Sequence, residues 1–188
     1  MTKLVLNILL AFALLLFYTE AQAQYLEDDR GIKQRIFYGG NMGLTFGSVT
    51  VISISPEIGY RLTNRWSAGL GGTYIFYRDN VYDETFNIWG LHQFTSFTII
   101  KNFSDILPFG REGGALLLYG ELNSMNLYNS FLNPSEPGRY WVTSPLAGLA
   151  YQLKIGYRSY MLIMVLYNFN ETMRSPIDNP VFRISLQF

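Results

Sequence analysis

Few side chains in this sequence have the type and spacing to do chemistry. His92, the sole histidine, sits in "WGLHQFTS" with Ser96 four residues on. On an extended strand the two share a face but stand about 13 Å apart, at roughly 3.3 Å per residue. A general base must lie within hydrogen-bond reach of the hydroxyl it activates. Unless a neighbouring strand supplies the partner, His92 therefore reads as a polar interior or interface residue. Glu57, Arg61, Glu121 and Arg183 are charges on otherwise amphipathic segments, and they could line a narrow ion path or pair with one another. Gly69, Gly71 and Gly72 resemble a phosphate loop only superficially. Gly69, Gly71 and Thr73 alternate along one strand face and no helix start follows, so no nucleotide fingerprint is formed. Glycine in such a strand relieves curvature or makes room for a large neighbour.

Composition narrows the chemistry further. The 188 residues contain no cysteine, which together with a single histidine leaves no metal-ligand spacing and implies no cofactor. Fourteen Lys+Arg balance fourteen Asp+Glu, so nothing in the charge favours nucleic acid as a partner. Aromatic residues reach 16%, with 14 Tyr and 14 Phe.

The elements that must carry these residues are strands. Eight segments of period-two alternation occur at approximately 35–46, 50–62, 66–78, 87–101, 112–124, 139–153, 158–169 and 180–188. In "ISISPEIGYRL" the residues Ile52, Ile54, Pro56, Ile58, Tyr60 and Leu62 take one face, and Ser53, Ser55, Glu57, Gly59 and Arg61 the other. "TNR" and "KIGY" are brief connections, whereas "DNVYDETF", "LYNSFLNPSEPG" and "ETMRSPIDN" are long and polar. Pro56 and Pro145 fall inside expected strands, where a lost ladder donor argues for a bulge or a shifted boundary. The fourth segment has mixed faces in either register, and the seventh is apolar on both.

The first residues follow another logic. Lys3, the apolar run Leu4–Phe17 and the small-residue site Ala21-Gln22-Ala23 have the order of a secretory signal peptide. The run is shorter than the roughly 20 residues that span a bilayer. The expected organisation is a cleaved signal over 1–23, a short periplasmic segment over 24–34 and one β-barrel domain over 35–188.

Alternation alone does not say which face is inside. A soluble carrier of lipocalin type would bury the apolar face, whereas a membrane barrel turns it outward. The second arrangement fits better. Glu57, Arg61, Glu121, Arg183 and Gln187 fall on the face opposite the apolar one, the face a membrane barrel turns into its lumen. Trp66, Tyr74, Trp89 and Trp141 fall near segment ends, where amphipathic rings favour a membrane interface. The expected fold is all-β, an eight-stranded antiparallel up-and-down transmembrane barrel whose polar interior is filled by its own side chains.

Three stretches also resemble a known family. "PEIGYRLTNRWSAGLGGTY", "SPLAGLAYQLKIGYRSYMLIMVLYNF" and the closing "VFRISLQF" look like the small OmpA/OmpX-like outer-membrane proteins, in particular the stand-alone outer membrane protein β-barrel domain family. The resemblance covers essentially the whole chain after the leader. It implies an integral protein of the Gram-negative outer membrane, in contact with outer-membrane lipid. It also implies that Phe182, Ile184, Leu186 and Phe188 form a signal read by the outer-membrane assembly machinery. It specifies architecture more than activity. Some small outer-membrane barrels modify lipid A, the deacylase type pairing a histidine with a serine, so a lipid-modifying enzyme centred on His92 stands as one alternative. A narrow ion channel and a soluble exported carrier are the others. The expectation is a non-enzymatic structural, adhesive or accessory-subunit role, with a larger outer-membrane complex as the partner. The polar loops at 77–87 and 129–141 are the remaining candidates for binding, because a rigid scaffold presents them.

Overall fold

The computed structural model describes residues 31–45, 49–79, 81, 84–102, 114–128, 138–171 and 177–188. The expected leader and most of the 24–34 segment lie outside these residues. So do 80, 82 and 83 of one polar loop and 129–137 of the other. A single helical turn, α1 (Ile32–Arg35), leads into β1 (Ile36–Thr45), β2 (Val49–Arg61), β3 (Trp66–Asp79) and β4 (Glu84–Ile100). Then follow β5 (Ala115–Tyr128), β6 (Arg139–Lys154), β7 (Tyr160–Asn168) and β8 (Val181–Gln187). Each strand pairs antiparallel with the next, and β8 returns to β1 in a closed barrel. The all-β, up-and-down, eight-stranded expectation is met.

Alternation decides the two faces. Met42, Leu70, Leu91 and Ile184 point outward and are 68%, 62%, 64% and 59% exposed. Their neighbours in sequence point inward, and Glu57, His92, Ser185 and Gln187 are buried. The barrel is therefore inside-out relative to a soluble protein. Tyr74, Trp89 and Trp141 lie on one cross-strand row, Tyr74↔Trp89↔Asn126↔Trp141, and the two indoles meet edge to face at 5.0 Å. Trp66 stands eight residues below Tyr74 on β3, about 20 Å lower along the axis for a strand of ordinary rise and tilt. The apolar band between these aromatic levels is somewhat shorter than the band of about 25 Å that outer-membrane barrels carry.

At the Trp66 end the connections are tight. Thr63 Oγ1 accepts the backbone N–H groups of Arg65 at 3.2 Å and Trp66 at 2.9 Å, a side-chain-capped turn. The 155–159 turn closes through Ile155 N–H to Ser159 O at 2.9 Å. At the other end the strands run further than their sequence spacing suggested. β3 and β4 stay paired up to Asp79↔Glu84, so much of "DNVYDETF" is strand rather than loop. Tyr77 packs on Phe86 at 6.1 Å, Phe86 on Tyr128 at 5.4 Å, and the Arg139 guanidinium lies 3.9 Å over the Tyr128 ring. These cross-strand aromatics extend the sheet beyond the Tyr74–Trp89–Trp141 row and carry β5 to Tyr128, four residues past its expected end.

The two prolines are accommodated without the expected bulges. Pro56 faces outward opposite Gly40, at a break in the β2–β3 ladder between Ile54↔Tyr74 and Glu57↔Gly71 that leaves the register unchanged. Pro145 sits one residue outside the β6–β7 ladder, which starts at Leu146↔Asn168. Each proline falls where one neighbouring ladder is already incomplete, the position at which a missing donor costs least. The register shift in the sheet instead falls between Thr98 and Ile100 of β4.

The interior is only partly polar, which corrects the expectation of a polar lumen. Phe37, Phe94, Leu117, Tyr119, Leu146, Ala150, Leu162, Met164 and Leu166 form a continuous buried cluster inside the barrel. Ile88, Met125, Leu127 and Val142 form a second. This explains the seventh segment, which looked apolar on both faces: its inward residues Leu162, Met164 and Leu166 fill the lumen while Ile163 and Val165 face outward. Eight strands enclose just enough room for side chains to occupy it.

Candidate functional site

The polar residues of the interior form two groups, one around Glu121 and one around Glu57, against this apolar filling. Glu121, on β5, accepts from three groups: the Arg183 guanidinium, Tyr119 Oη at 3.1 Å and Asn123 Nδ2 at 3.0 Å. Arg183 reaches it across the lumen from β8. On the other side, Glu57 of β2 accepts the Ser185 hydroxyl at 2.9 Å, and its second oxygen lies 3.7 Å from His92 Nε2. Thr73 Oγ1 is 3.4 Å from His92 Nδ1, and Ser55 donates to Thr73 at 3.2 Å. Two carboxylates, one guanidinium and one imidazole thus share a dry interior. The desolvation of Glu57, Glu121 and Arg183 is offset by an opposite charge or by hydrogen bonds, whereas the buried His92 Nε2 has no hydrogen-bond partner among the described residues.

Glycines make this packing possible. A Cβ on Gly71 would overlap the His92 ring, one on Gly69 the Phe94 ring and one on Gly59 the Phe37 ring. Large side chains from β4 and β1 therefore occupy the volume that β2 and β3 leave empty. Gly72 differs: it faces outward, with nothing closer to its added Cβ than the Gly90 carbonyl at 4.0 Å.

Of the four charges expected to form a lumen network, the structure pairs Glu121 with Arg183 and sets Glu57 beside Ser185 and His92, with Arg61 placed against aromatic rings. The Arg61 guanidinium stacks over Phe37 at 5.2 Å and over Tyr160 at 5.9 Å. It lines a cavity of about 410 Å³ at the Trp66 end of the lumen with Gln34, Tyr157, Arg158 and Tyr160. Sequence reasoning missed Tyr119, Asn123, Ser185 and Thr73. Their inward phase was readable, but their partners lie on strands that only closure brings near.

Trp66, Tyr74, Trp89 and Trp141 all point outward and are 41–52% exposed. Phe182, Ile184, Leu186 and Phe188 also face outward, at 40–73%. Ser96 is buried on the His92 face, but the hydroxyl beside the imidazole is that of Thr73. Hydroxyl, imidazole and carboxylate of Thr73, His92 and Glu57 are in line, yet all three are at least nine-tenths buried in the barrel filling. Among the described residues no cluster of three or more metal-ligating side chains occurs.

Fold and interior together define a class: an inside-out, closed, eight-stranded barrel with a packed lumen. One solved structure similar to it is the N-terminal β-barrel domain of Pseudomonas aeruginosa OprF, at a TM-score of 0.47 and 15% identity, covering 82% of this chain and 95% of that one. No protein-family model and no curated protein matches the chain.

Proposed function

We propose that this chain is an integral outer-membrane β-barrel of a Gram-negative cell, acting as a structural, adhesive or accessory membrane subunit without catalytic activity of its own. The observation that carries the reading is the girdle of exposed Met, Leu, Ile and Val side chains bounded above and below by aromatic rings. In water such a surface would drive aggregation, whereas in a bilayer it is the solvated face. Closure supports the same reading, because a bilayer tolerates few unpaired strand edges. The absence of a helix long and apolar enough to cross a membrane, among the described residues, says nothing against strands doing so. The buried setting of His92 and Thr73 supports the non-catalytic reading, because barrel filling stands between a substrate and either side chain. Carrying Phe182, Ile184, Leu186 and Phe188 outward on the closing strand suits a segment handed to the assembly machinery before closure.

The test is fractionation of expressing cells. The protein is expected in the outer-membrane fraction, resistant to carbonate washing, released by detergent, and migrating differently on gels with and without heating. Recovery from the soluble periplasm without detergent would overturn the reading.

A further inference from the structure

The outward surface of the barrel is not uniform. Around β7, β8, β1 and β2 it is built from large side chains, including Val165, Ile184, Met42 and Ile58. Across β3 to β6 it is different. One cross-strand row reads Ala68↔Thr95↔Gly120↔Ala147, and another reads Gly72↔Leu91↔Ser124↔Thr143. Between them runs Leu70↔Gln93↔Leu122↔Pro145. A groove of about 350 Å³ lies over the first row, walled by Trp66, Phe97 and Leu118 and floored by Gly120 and Ala147.

Two independent features set this face apart. First, the barrel does not need Gly72 and Gly120, two of its outward glycines, to be small. A Cβ at Gly120 would meet nothing closer than Thr95 Cγ2 at 3.7 Å, an ordinary contact, and Gly72 faces open space. The inward Gly59, Gly69 and Gly71, by contrast, are demanded by rings packed against them. Within a membrane, small residues are what let two protein surfaces approach closely. Second, Gln93 is exposed on this face, four residues from Trp89 on one side and from the Trp66 partner Phe97 on the other, and so at mid-height. The other polar side chains nearby are satisfied: Trp66 Nε1 donates to Thr95 Oγ1 at 2.6 Å, and Ser124 and Thr143 pair at 3.0 Å. The Gln93 amide has no hydrogen-bond partner among the described residues. Hydrocarbon offers it none.

From these observations, which rest on the membrane reading above, we infer that the β3–β6 face is a two-fold interface with a second copy of this chain, centred on Gln93. The amide is its own electrostatic complement, with a donating N–H₂ and an accepting carbonyl. A two-fold axis along the membrane normal sets two such amides antiparallel at one height, where each satisfies the other. An isologous contact of this kind needs only one surface patch. The outward glycines and alanines on either side let the two walls close around that pair. The inference also accounts for the mixed face of the fourth segment: Gln93 and Thr95 are outward and polar because the surface they occupy is covered by protein.

Because the chain has no cysteine, disulfide trapping reads the interface directly. Full-length Leu122→Cys, reconstituted in phosphatidylcholine vesicles at high lipid excess and treated with a mild oxidant, is expected to form a covalent dimer at least five times more efficiently than Ile163→Cys on the opposite wall. Adding Gln93→Leu to Leu122→Cys is expected to lower the trapped dimer at least fivefold while leaving heat-modifiable folding intact, because leucine suits a lipid-facing position. Gly120→Leu should do the same by bulk. Equal trapping at positions 122 and 163, or trapping indifferent to Gln93→Leu, would overturn the inference. So would a cross-link in native membranes that joins position 122 to a different protein. A folded monomer that requires detergent would refute the dimer alone. A chain soluble without detergent would refute the membrane reading beneath it.

Discussion

Glu121 shows how individual residues hold this barrel together. Its side chain is fully buried and its three donors come from two strands, with the one full positive charge supplied by Arg183. Removing that charge alone would strand a carboxylate in a dry interior. Arg183→Met is expected to cost about 3–5 kcal/mol, while Glu121→Met combined with Arg183→Met should return to within about 2 kcal/mol of the parent, as replaced buried pairs do. Urea titration of the vesicle-folded protein, followed by tryptophan fluorescence, measures both. A single variant as stable as the parent would show that the pair has no such role. At this scale the sequence disclosed phase but not partnership. Glu57 and Arg61 alternate onto the same face of β2, yet one meets Ser185 and His92 and the other stacks on Phe37 and Tyr160. They stand at different depths in the lumen, and local spacing does not encode what lies opposite at each depth.

The strands themselves were largely legible, because period-two alternation is a local property that each segment carries. The misplacements had tertiary causes. β3 and β4 overran their expected ends because Tyr77, Phe86 and Tyr128 extend the packing above the outward Tyr74–Trp89–Trp141 row. The prolines produced no bulge because ladder gaps were waiting for them. The least expected element is the closing seam. β7 pairs with β8 from Tyr160↔Gln187 through Leu166↔Val181, but β1 meets β8 only at Gly39↔Gln187 and Gly40↔Leu186, beside the reciprocal Tyr38 and Phe188 backbone bonds of 3.1 and 2.7 Å. At Gly40, φ is +148°, and the Ser185 hydroxyl lies 3.0 Å from its carbonyl. The ladder ends at that point. Amides of Met42 to Leu44 should therefore exchange with deuterium faster than those of the fully paired β4 and β5. Equal protection along all strands would refute the short seam. Removing Phe188 takes away one reciprocal pair of this seam, so the same measurement on that deletion should show protection lost first in β1.

For the whole molecule, the decisive quantity is the free space in the lumen. Phe37, Phe94, Tyr119, Leu162 and Met164 fill one side, and the Glu57–His92 and Glu121–Arg183 groups close the rest. Planar-bilayer recordings are expected to show no stable single-channel steps. Reproducible conductance altered by Arg183→Met would instead identify an ion path and restore the channel alternative.

What the sequence determined by itself was the number of strands, the apolar and polar face of each except the fourth and seventh, and the two aromatic levels that bound the apolar band. All of these are carried by neighbours in the chain. What only the tertiary structure decided was which inward charges meet, that half the lumen is apolar, how briefly the barrel closes, and that Gln93 stands unpartnered on an outward face of small residues. The physical reason is register. Alternation fixes the side of a strand on which a residue lies, but its height against the neighbouring strand, and so its partner, is set only when all eight strands are paired and the sheet is closed.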